Sequence, residues 1–103
     1  MKDLQKDIHD NAVKHGWWDE ERNIPELLCL MHSELSEALE AYRNKNSLIT
    51  NYDWWANFKE ELADTVIRVM DTCEHYDINL YEEILKKHEI NKARPYRHGG
   101  KVC

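Results

Sequence analysis

The chain has 103 residues, 42% of them apolar and 33% charged, with a net charge of −6, which bounds it to one domain whose lone core is small enough that oligomerisation would help it. The negative balance disfavours a sequence-independent grip on nucleic acid, which needs Lys and Arg to replace counterions along phosphates, and no apolar run is long enough to make a membrane partner. Three glycines and two prolines leave little punctuation for a many-stranded sheet, so a single all-α domain over residues 1–103 is expected.

Leu4, Ile8 and Ala12 or Val13 recur at helical spacing over residues 3–15, and Gly16 follows as a stop. The stretch GWWDEERNI from Gly16 to Ile24 breaks the periodicity and reads as an ordered loop ending at Pro25, a residue that favours a first helical turn. From Pro25 to about Arg43, Leu27, Leu28, Met31, Leu35, Ala38, Leu39 and Tyr42 form one stripe of a long helix. Residues Asn44–Asn51 favour a loop, after which Asp53 is placed to cap a helix striped by Trp55, Phe58, Leu62, Val66, Val69 and Cys73 and running to about Tyr76. Asn79 with Glu82 three residues later suggests a capped fourth helix carrying Tyr81, Ile84, Leu85 and His88 on one face. About four helices joined by short connections match a bundle or a dimer of helical hairpins. Cys29, Cys73 and Cys103 are odd in number and widely spaced, and with no signal peptide or long apolar span they point to a reducing cytoplasm.

Two pairs of acids interrupt the central helices at a spacing of three: Glu34 with Glu37, and Glu61 with Asp64. At about 100° per residue, Glu34 falls among Leu27, Leu30, Ala38 and Ala41 rather than on the solvated side, and Glu61 and Asp64 flank the Leu62 face with Arg68 next along. A carboxylate inside an apolar stripe costs several kcal/mol unless a partner or metal compensates, and Arg68 alone does not balance four acids. Oxygen-only ligands suit Mg2+ or Mn2+ rather than zinc or copper, and Mg2+ is commonly shared between carboxylates and substrate phosphates. The competing reading is ordinary surface charge, the usual fate of Glu in a highly charged helical protein. A di-iron bundle needs Glu three residues before His, which occurs nowhere here, and Cys29 with His32 offers only half a zinc site.

The pattern Glu34-x-x-Glu37, a gap of 23, then Glu61-x-x-Asp64, carried in LMHSELSEALEAYR and FKEELADTVIRVMD and followed by DINLYEEILKKHEINKARPYRHGGK, resembles MazG-like proteins of the all-α nucleoside triphosphate pyrophosphatase superfamily, phage forms included. The resemblance covers most of the chain in the family's order. It implies hydrolysis of nucleoside or deoxynucleoside triphosphates to the monophosphate and pyrophosphate. Glu34, Glu37, Glu61 and Asp64 would hold Mg2+, and one of them would orient or deprotonate water. It further implies substrate binding by Asn91, with Lys87, Arg94 and Lys101 reaching phosphate oxygens, and by His9 and Trp18 in a base pocket. Arg68 stands where relatives often carry an aromatic, so its contacts to phosphate or base are expected to differ. With one copy of the motif, the chain would complete its bundle as a homodimer or homotetramer. House-cleaning of nucleotide pools is the role this suggests; the alternatives are an enzyme specialised for dUTP or a phosphoribosyl nucleotide, and a non-catalytic helical interaction module.

Overall fold

The structure is a computed structural model, described over residues 1–48 and 52–95. Among these residues it is all-helical, with no strand: α1 Lys2–Lys14, α2 Ile24–Arg43, α3 Trp54–His75 and α4 Leu80–Lys92. Three of the four starts are fixed by a short polar side chain taking a helix-end N–H that would otherwise lack a partner. Asn23 accepts from Glu26, Asp53 from Ala56 and Asn79 from Glu82, at 2.8, 3.0 and 3.2 Å.

Helices α1 and α3 end in the same way. At the end of α1 the N–H of Gly16 reaches the Val13 carbonyl at 3.1 Å and that of Trp17 the Ala12 carbonyl at 3.0 Å, with Gly16 at φ +85°. At the end of α3 Asp77 takes the left-handed position at φ +57°, its N–H meeting the Glu74 carbonyl at 3.2 Å and that of Ile78 the Cys73 carbonyl at 2.8 Å. Both are paired-hydrogen-bond turns that need a left-handed residue, which Gly adopts freely and Asp tolerates. The first turn sends the chain back so that Trp17 lies over the α1–α3 junction.

Helices α2 and α3 form an antiparallel hairpin, and α1 packs antiparallel against α3. The apolar core is small: Leu27, Ala38 and Ala41 from α2, and Met70 and Cys73 from α3. Two alanines at the contact let the helices approach closely, which brings Glu34, one stripe with them, against α3. Gln5 is also buried, and its amide holds α1 to the C-terminal end of α3 through Glu74 at 3.0 Å and the Ile78 carbonyl at 2.9 Å.

The apolar stripes expected to form the core are only partly inside. Leu28, Leu35, Leu39 and Tyr42 of α2, and Trp55, Leu62 and Val66 of α3, remain exposed. They lie about 80–140° round from Glu34 and Glu61, and in an antiparallel hairpin those two rotations open onto the same side. The result is a continuous apolar face on the side of the hairpin away from α1. Helix α4 has no buried residue, and Tyr81, Ile84, Leu85 and Ile90 are exposed on it.

The left-handed positions give a direct test. Gly16→Val and Asp77→Val should each destabilise the fold by about 1–2 kcal/mol, whereas Asp77→Gly should not, as read from urea unfolding midpoints.

Candidate functional site

Glu34 is buried between α2 and α3, and its Oε1 accepts a hydrogen bond from Arg68 Nε at 2.8 Å. Glu61 lies on α3 two turns before Arg68 and therefore on the same face. Carboxylate oxygens of Glu34, Glu61 and Asp64 converge to within 4.8 Å of one another. That spread is close to the ~4.2 Å that separates opposite oxygens around a cation bound at ~2.1 Å. Glu37 stands beside Glu61, near enough to hydrogen-bond and repel it.

Burial works to raise the Glu34 carboxyl, but the hydrogen bond and charge of Arg68, with hydrogen bonds from Glu61 and Glu37, outweigh it and hold Glu34 below its ordinary value. Glu61 carries the opposite burden: its hydrogen bond with Glu34, then burial, then the neighbouring Glu37, push it from 4.5 up to about 8. Its Oε2 is sealed from solvent with no hydrogen-bond partner among the described residues. A buried acceptor without a donor is costly. The groups around it are themselves carboxylates, and a proton or a cation there would relieve it. The donor set therefore fits a hard divalent cation such as Mg2+ or Mn2+, held by Glu34, Glu61 and Asp64 with Glu37 alongside.

Beside this cluster lies an open cavity of about 730 Å³ between α1 and the α2–α3 hairpin, walled by Ile8, Asn11 and Trp17 on one side and by Glu34, Asp64, Arg68 and Asp71 on the other. Trp17 is held in the wall by two guanidinium groups, Arg22 at 3.8 Å and Arg68 at 4.8 Å from its ring centre. Arg22 also donates to the Trp17 carbonyl at 2.7 Å.

His9 and Trp18 meet at Asp71, a buried carboxylate: His9 Nδ1 lies 2.7 Å from Oδ1, and the Trp18 indole N–H points at Oδ1 and Oδ2 at 3.0 and 3.2 Å. The Trp18 ring stacks on His75 at 3.8 Å and 7°. Both residues thus stand behind the cavity wall, and Asp71 is the member of the group that lines it.

Lys87, Asn91 and Arg94 are exposed on or just after α4, and none of them lines the cavity of its own chain. Lys101 lies outside the described residues. Asp71, Trp17 and Arg22 are site residues that sequence periodicity did not single out. Asp71 carried no local signal, because its partners are 62 and 53 residues away.

No family model, no curated protein and no solved structure matches this chain.

The protonation of Glu61 sets a pH dependence. Its carboxyl binds a proton more tightly in the folded state than in the unfolded chain, so the folded state holds the extra proton between pH 4.5 and about 8. Stability without metal should accordingly fall as pH rises through that window. Thermal melts in a chelator should show this decline, millimolar Mg2+ should offset it increasingly toward pH 8, and Glu61→Gln should remove both effects.

Proposed function

We propose that this protein is a Mg2+-dependent nucleoside triphosphate pyrophosphohydrolase of MazG-like type, releasing the monophosphate and pyrophosphate. The observation that carries this reading is the convergence of carboxylate oxygens of Glu34, Glu61 and Asp64, with a buried, partnerless oxygen on Glu61, beside a cavity large enough for a nucleotide that Glu34 and Asp64 line. Glu34, Glu61 and Asp64, with Glu37, would hold Mg2+, or Mn2+ in its place. When bound, the ion supplies charge neutralisation of the polyphosphate and a lowered pKa for coordinated water.

The chain's own residues divide the remaining work. Arg68 fixes the rotamer of Glu34 through its Nε and lines the cavity, where the rest of its guanidinium is placed to meet phosphate oxygens. Glu37, exposed and less tightly packed than Glu34, is the acid available to orient or deprotonate the attacking water. Asp71, held by His9 and Trp18, stands on the side of the cavity toward the C-terminal end of α3, leaving that region for the sugar and base.

Lys87, Asn91, Arg94 and Lys101 would serve substrate bound on a second copy, in a homodimer or homotetramer. The exposed apolar face of α2 and α3, together with the unburied apolar side chains of α4, supports such an assembly, since contiguous apolar surface on a folded chain marks an interface. No described helix is long and apolar enough to cross a membrane. With a net charge of −6, the partners in this reading are a small nucleotide and the chain itself, in a cytoplasmic setting, and nucleotide house-cleaning is the role. The same face also favours the second reading, a helical interaction module without catalysis; specialisation for dUTP or a phosphoribosyl nucleotide is a narrower form of the first.

Incubation of the pure protein with Mg2+ and a nucleotide panel, followed by 31P NMR, should reveal pyrophosphate and monophosphate; orthophosphate and diphosphate would contradict the reaction type. Glu61→Gln should retain the fold and lose more than the ~10–100-fold expected for an outer-shell change at a metal site. Light scattering should report at least a dimer, and Leu35→Glu or Val66→Glu should shift it to monomer. A melting temperature unmoved by Mg2+ and a nonhydrolysable nucleotide would favour the module.

A further inference from the structure

Arg68 stands where a metal ion would have to compete with it. Its Nε donates to Glu34 Oε1 at 2.8 Å, and the two side chains are 29% and 10% exposed, so the pair is largely out of water. Glu34 is at the same time one of the three acids whose carboxylate oxygens converge within 4.8 Å. A cation held by either of its oxygens at ~2.1 Å would therefore lie one carboxylate group away from a full positive charge. Such a repulsion is weak in water, but the lower effective dielectric between partly buried groups makes it several times stronger.

The same guanidinium is free to be drawn elsewhere. Among the described residues its hydrogen bonding is the single Nε contact to Glu34, so the two terminal nitrogens are left for a ligand, and the side chain lines the cavity. A guanidinium presents five N–H donors in a fixed fork that matches phosphate oxygens. A polyphosphate in the cavity would thus offer Arg68 a stronger partner than a carboxylate already neutralised by a metal. Trp17, 4.8 Å from the Arg68 guanidinium and backed by Arg22 at 3.8 Å, supplies a face on which the group rests through the exchange. If Arg68 only oriented Glu34, its removal would weaken metal binding. Burial between α2 and α3 already restricts the Glu34 side chain, so the charge of Arg68 is the larger effect, and its sign is opposite.

We propose that Arg68 is an internal counter-cation of the acid cluster, opposing the metal ion at Glu34 until an anionic polyphosphate draws the guanidinium away, so that ion and triphosphate enter the site together. This rests on the nucleotide reading of the site and adds its regulation: the protein alone holds a divalent cation weakly, and the triphosphate tightens it. By linkage the cation tightens the triphosphate by the same factor.

The test is calorimetric titration of Mg2+ into the metal-stripped full chain and into Arg68→Met, which removes the charge but keeps an apolar stem against Trp17. It is run above the value of about 8 to which its hydrogen bond with Glu34, burial and Glu37 push Glu61, so that protons compete less with the metal. Without nucleotide the variant should bind Mg2+ about tenfold or more tightly than wild type. In Mg2+ it should bind the preferred member of the four α,β-methylene deoxynucleoside triphosphates about tenfold or more weakly. Equal or weaker Mg2+ binding by the variant, its fold verified by circular dichroism, would overturn the proposal and leave the hydrolase reading in place. The wild-type protein gives a reading that needs no variant: by NMR the Arg68 Nε–H, assigned through its bonded carbons, should exchange slowly with water in the protein alone and lose that protection once Mg2+ and the preferred analogue are both bound. An Nε–H that stays protected in that complex would overturn the proposal. Absence of Mg2+ binding to either protein, with and without the analogues, would instead overturn the metal-dependent reading, and this inference with it.

Discussion

The packing of carboxylates between α2 and α3 is the constraint on which the rest depends. Glu34 lies in the stripe that also holds Leu27, Ala38 and Ala41, so the hairpin cannot close without taking that acid out of water. Arg68 compensates Glu34 at 2.8 Å and leaves Glu61 with the residual cost, visible as a carboxyl pushed up to about 8 and an oxygen without a donor. An apolar residue at either position would give a better-packed hairpin. Perturbed acids gathered beside a cavity are a recognised mark of a functional site, and here the perturbation of Glu61 arises from its hydrogen bond with Glu34, from burial and from the neighbouring Glu37.

That compression would mean little without α1. The helix stands off α2 while packing on α3, and the gap is the cavity. Its standoff is maintained by polar groups: Gln5 grips the C-terminal end of α3, His9 and Trp18 converge on Asp71, and the left-handed turn at Gly16 swings Trp17 between two guanidinium groups. Arg68 belongs to both sets, bonding Glu34 on one side and facing the Trp17 ring on the other. The acid cluster and the aromatic wall are therefore mechanically joined through one side chain.

The outer face of the hairpin has the character of an interior left open. Seven large apolar side chains on α2 and α3 stay exposed on one side, and α4 buries none of its own. Each such side chain gains roughly 1.5–3 kcal/mol on full burial, which is the stabilisation that the proposed association with a second copy would draw on. The site itself is rich in acids and has Arg68 and Arg22 as basic residues lining the cavity.

Much of the architecture was legible before any coordinates. Helix periodicity placed all four helices within a residue or two of their observed ends, because a proline in the first turn of α2, capping by Asp53 and Asn79 and arrest at Gly16 are short-range effects. The same periodicity put Glu34 on the buried side, and it is buried. Which apolar stripe became core was not legible: Leu35, Leu39 and Leu62 fit a helical face as well as Ala38 and Ala41 do, and the smaller residues won because close helix approach selects them at the contact. The sequence by itself determined the helices, their caps and the presence of two acid pairs on the central two. Only the tertiary structure decided that Glu34, Glu61 and Asp64 share one site while Glu37 sits at its margin, and that Asp71 joins His9 and Trp18. Periodicity describes rotation about a single axis, whereas contacts spanning 34 to 62 residues depend on how one helix is turned and shifted against another.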